Sequence, residues 1–142
     1  MFNPSRDEVR RFFTDAWGKH LTRAPVTPLE AIAVDWMTEH PEYHDLLARP
    51  EDALTQDYTP ERGESNPFLH LAMHLSIAEQ VSIDQPSGIK AAVEGLTRRL
   101  DSPHDAHHQV MECLGEMLWT AQRRGLPPDG AAYIECVNKR AR

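Results

Sequence analysis

The chain has 142 residues, 15 lysines and arginines against 22 aspartates and glutamates, eight histidines and a formal net charge of -7. That length suits one domain, residues 1–142, able to withdraw roughly 70% of its unfolded surface from water without a staple. The acidic surplus repels phosphate backbones and anionic lipid, which argues against nucleic acid or a membrane as the main partner and leaves a small molecule, a protein or a second copy of the chain.

Strand signals are nearly absent, and eleven prolines, most of them just after a capping residue, mark where helices start. The first helix is expected over about 6–19: Ser5 and Glu8 make a capping box, and Val9, Phe12, Phe13, Ala16 and Trp17 recur along one face. Thr27 and Glu30 make a second box for a helix over about 28–39, with Leu29, Ile32, Ala33, Trp36 and Met37 as its apolar residues. Pro41 forces a break, and a short helix over about 41–48 carries Tyr43, Leu46 and Leu47. The polar stretch 49–65, with Pro50, Pro60 and Gly63, is expected to be mostly loop, either a connector or a binding segment.

Residues 66–83 follow, apolar nearly all the way round, with Asn66 as cap and Pro67 in the first turn; this is the expected centre of the bundle. Asp84-Gln85-Pro86 stops it. The next helix runs to about Leu100 on a buried stripe of Ile89, Ala92, Val93, Leu96 and Leu100. Ser102-Pro103 opens a long helix to about Arg124, with Gly125 as its left-handed stop, and Asp129 caps a last helix through Tyr133, Ile134 and Val137. The fold class is therefore all-α: a single-domain bundle of five or six helices around helix 67–83.

All histidines but His20 fall in three groups: His40 and His44; His70 and His74; His104, His107 and His108. His70 and His74 stand one turn apart on the apolar helix, a spacing that lets two imidazoles converge on one Zn or Fe ion. They cannot close a shell alone. The long helix offers His108 and Glu112, so the expected metal ligands are His70, His74, His108 and Glu112 with a position left for water. Two competing readings stand beside this one. His108 and Glu112 point largely away from the apolar stripe of Ala106, His107, Val110, Met111, Leu114, Met117, Leu118 and Ala121, and on the second reading form a solvated pair with His107 as the inward histidine. His70 and His74 can equally be core histidines bonded to neighbouring polar groups, since buried imidazoles need partners either way. His44 is either a further ligand or a surface histidine. HExxH, Glu-x-x-His on the apolar helix, a glycine-rich phosphate loop and GxSxG are all absent, which removes zincin proteases, di-iron carboxylate bundles, nucleotide binding and hydrolase elbows.

The segments Asn66-Pro-Phe-Leu-His-Leu-Ala-Met-His74, Asp84-Gln-Pro-Ser-Gly-Ile89 and Met111-Glu-Cys-Leu-Gly-Glu116, with Met1-Phe-Asn-Pro-Ser-Arg6 and His40-Pro-Glu-Tyr-His44, resemble a family of short bacterial proteins catalogued only as a domain of unknown function. The resemblance spans nearly the whole chain and implies no activity, cofactor or partner. The functional expectation thus rests on the histidines: a metal site with hydrolase-like activity, in which the ion lowers the pKa of bound water toward ~7. The alternatives are a non-enzymatic interaction or scaffold protein whose histidines form a buried polar network, and a sensor of pH. The two cysteines, Cys113 and Cys136, in neither a CxxC nor a dense pattern, fit buried apolar thiols in a reducing compartment. With no leader at the N-terminus and no apolar run near the ~20 residues that span a bilayer, a cytoplasmic location is expected, and a homodimer through one helical face is allowed.

Overall fold

A computed structural model describes residues 5–56 and 66–142, and among them every regular element is helical. These are α1 (Arg6–Thr22), α2 (Pro28–Thr38), a 3-10 turn (Pro41–Tyr43), α3 (His44–Leu47), α4 (Pro50–Thr55), α5 (Pro67–Ile83), α6 (Ile89–Leu100), α7 (Pro103–Arg124) and α8 (Gly130–Arg140). The starts lie where the caps require. Ser5 with Glu8 and Thr27 with Glu30 both form complete capping boxes, and the Asn66 side chain accepts from the backbone N–H groups of Phe68 and Leu69. Ser102 and Asp129 cap α7 and α8 in the same way. Gly125 ends α7 at φ 65°, a left-handed conformation that costs glycine nothing.

Two compact units divide the chain, Met1–Leu75 and Ser76–Arg142, with the boundary inside α5. The first packs Phe13, Ala16 and Trp17 of α1 with Ala33 and Met37 of α2, Leu47 of α3, Ala53 of α4, and Phe68 and Leu71 of α5. Arg10 is buried within this unit, its guanidinium donating to the carbonyls of Ala53 (2.8 Å) and Gln56 (2.6 Å) and lying over the Phe68 ring. In the second unit α6, α7 and α8 pack on one another. Ile89, Ala92, Val93, Leu96, Ala106, Val110, Leu114, Tyr133 and Val137 are buried there, and the Tyr133 hydroxyl donates to Gln80 Oε1 at 2.7 Å.

Three expectations need correction. The stretch 49–65 is not loop at its start, because Pro50 serves as the first residue of α4 and Ala53 is buried; the remainder, residues 57–65, lies outside the described residues. Helix α5 is apolar all round but not buried all round: Phe68, Leu71, His74 and Ile77 are covered, while Leu69 and Ile83 are exposed. The cysteines are not separate thiols. Cys113 follows Val110 on the inner side of α7, Cys136 precedes Val137 on α8, and the pair forms a disulfide with the Cα atoms 5.8 Å apart, well inside the range that a bridge can span.

Candidate metal centre

In the first unit three imidazoles meet. His40 follows α2 and precedes Pro41, which keeps it out of the helical conformation, at φ -124° and ψ 71°. From that bend its Nδ1 reaches Glu42 Oε1 at 3.0 Å. Its Nε2 stands 3.1 Å from His74 Nε2 and 3.2 Å from His70 Nε2. The last two rings sit one turn apart on α5, with centroids 4.8 Å apart and planes at 80°. Aromatic walls hold the group: Trp36 stacks on His74 at 4.1 Å and 12°, and Tyr43 on His40 at 5.1 Å and 15°. His74 is fully buried, His40 nearly so, and His70 half-buried. Burial and the nearby Glu42 carboxylate raise the Tyr43 phenol above its usual pKa, so the wall stays neutral.

The nitrogens carry a specific chemical message. A carboxylate on Nδ1 of His40 fixes the proton there, which turns the Nε2 lone pair toward the other two rings; the tautomer follows from the bonding pattern. One lone pair accepts one well-directed N–H bond, whereas two imidazoles approach it. A cation resolves the geometry, since nitrogens each about 2.0–2.1 Å from a tetrahedral ion stand about 3.3–3.4 Å apart. The observed 3.1 and 3.2 Å are close to that separation. A carboxylate behind one imidazole is also the usual arrangement for orienting a metal-bound histidine.

The second unit has its own histidines, on the first two turns of α7. His104 and His108 are half-buried with ring centroids 4.3 Å apart. His107 is buried and held neutral, its pKa lowered to about 4 by burial and by the neighbouring His108 and His104. Glu112 is exposed and paired with Arg140 at 3.2 Å.

A family model described as "Domain of unknown function (DUF1841)" matches residues 5–139. The chain belongs to the DUF1841 family. No curated protein and no solved structure matches it. No helix among the described residues is long and apolar enough to cross a membrane.

For this family member the structure brings His70 and His74 together, as the spacing on α5 predicts, and adds His40. It leaves Glu112 on Arg140, and makes His107 the inward histidine of α7. His44 is neither a ligand of the triad nor a solvated side chain: Nε2 bonds the Met37 carbonyl at 2.7 Å and the ring stacks on Trp17 at 4.3 Å. His40 is the residue that sequence reasoning passed over. Its signal was available, because it stands four residues after Trp36 at the end of an apolar face and immediately before a proline.

Proposed function

We propose that the protein binds a first-row transition metal, Zn or Fe in the first instance, through imidazole nitrogens. His40, His70 and His74, all within the first unit, are the ligand set, and solvent fills the remaining positions. Glu112 is left out of this set, being committed to Arg140. The observation that carries the reading is the approach of two imidazole nitrogens to the same Nε2 of His40, at 3.1 and 3.2 Å, with Glu42 behind it. Neutral nitrogen ligands suit Zn, Fe, Ni and Cu and leave the ion's charge largely uncompensated, which strengthens it as a Lewis acid. An ion keeping one water would lower that water's pKa toward ~7 and so supply a nucleophile for hydrolysis. The cytosol is the compartment assigned, with a small-molecule substrate or protein partner rather than nucleic acid, in keeping with the net charge of -7.

The test is elemental analysis of protein purified without a histidine tag. The expected result is one Zn or Fe per chain, lost in a His40→Ala, His74→Ala double variant and weakened in His70→Ala. Metal-free protein that takes up no Zn or Fe on titration overturns the reading and leaves the histidines as a polar network within a scaffold.

A further inference from the structure

The second unit carries chemistry that the imidazoles do not use. The disulfide joins α7 to α8 unevenly: Cys113 is 1% exposed, whereas Cys136 is only half-buried. Both line a groove of about 890 Å³ between these helices, within the range of volumes that hold small ligands. The groove lining carries both signs of charge, Arg124 and Lys139 together with Glu116 and Glu135, beside the apolar Met117 and Tyr133. The Glu116 carboxylate lies 4.0 Å from Cys136 Sγ.

We propose that Cys113–Cys136 is a thiol-exchange site whose partner is a small zwitterionic peptide thiol of the glutathione type, seated in the groove between α7 and α8. The incoming thiolate attacks Cys136 Sγ, the more accessible of the two sulfurs. The sulfur–sulfur bond breaks, its electron pair leaves on Cys113 Sγ, and that thiolate takes a proton from solvent. The product is a mixed disulfide between Cys136 and the peptide thiol. A second peptide thiolate attacks the peptide sulfur of that bond, so that two thiols are oxidised to one disulfide while the protein disulfide is reduced to two thiols. A wall of both signs suits a ligand that carries an ammonium group and carboxylates together. Val110, Leu114, Tyr133 and Val137 are buried in this unit, and on this proposal their packing keeps α7 and α8 docked when the bridge opens.

The full-length, tag-free chain is incubated with reduced glutathione, trapped in acid, and measured by intact mass and peptide mapping. The expected result is one glutathione per chain, on Cys136, with Cys113 as a free thiol. The Cys113→Ser variant should take one glutathione from glutathione disulfide, and Cys136→Ser none. An Arg124→Glu, Lys139→Glu variant, which leaves both sulfurs in place, should lower the rate with glutathione relative to 2-mercaptoethanol about tenfold. An adduct on Cys113, no adduct with glutathione, an unchanged rate ratio in the groove variant, or reduction only by a protein dithiol overturns the proposal. None of these readouts depends on metal, so the proposal stands or falls apart from the metal reading.

Discussion

Glu42 touches no proposed ligand nitrogen on the face where the imidazoles meet, yet it decides what that face offers. By holding the proton on Nδ1 of His40, through a 3.0 Å contact, it leaves Nε2 as a lone pair. The carboxylate is itself 58% exposed, so as a surface ion pair it adds little to folding. The Glu42→Gln variant is therefore expected to melt as the parent does without metal while binding Zn about 10–100-fold more weakly, measured by titration against a competing chelator. A parent-like affinity would mean that the carboxylate does not orient the ring. His74 and His70 were legible in the sequence because their spacing alone places them on one helical face. His40 was hidden because its position depends on a bend whose geometry Pro41 imposes and whose direction only the packed structure reveals.

Among the elements, α2 ties its own start to its neighbour. Glu30 closes the capping box with Thr27, accepting from the Thr27 N–H at 2.9 Å, and also binds Lys19 of α1 at 2.9 Å. The Thr27 backbone bond first, and Lys19 next, hold the Glu30 carboxyl below its ordinary pKa of 4.5. The unfolded chain therefore takes up this proton before the folded one does. The stabilisation is complete above about pH 4.5 and is lost as the pH falls through the lower, folded value. In urea unfolding at neutral pH, Glu30→Gln should be less stable than the parent, and the gap should close as the pH drops below that range. Helix starts were the most legible feature of the sequence, since a cap is a local bond between residues three apart. Element α4 was missed because a six-residue helix has too few turns for periodicity to register. The exposure of Leu118 was missed because the apolar pattern of α7 continues past Leu114, where full burial stops.

At the scale of the whole molecule, two half-chains of similar size hold separate chemistries, imidazoles drawn together in the first and a sulfur bridge in the second. Composition predicted the all-helical class, since nothing in the chain alternates with the period of a strand. It misjudged the cysteines because their pairing depends on two helices meeting, and spacing along the chain says nothing of that. A ligand that binds only the folded chain raises stability in proportion to the logarithm of its excess over Kd. Zn at a hundredfold excess should thus add about 2.7 kcal/mol and raise the melting temperature by roughly 5–10 °C. A scan with and without a chelator measures it, and coincident curves would show that the imidazoles hold no ion.

The stack of Trp36 on His74 has a practical consequence. Of the three indoles, Trp17 lies buried on His44 and Trp119 is exposed beneath Arg123, so each emits from different surroundings. Only the middle one shares a face with the ring trio. Paramagnetic Cu or Ni seated there would dim that emission while diamagnetic Zn spared it, and the chain would carry a native optical gauge of what occupies it.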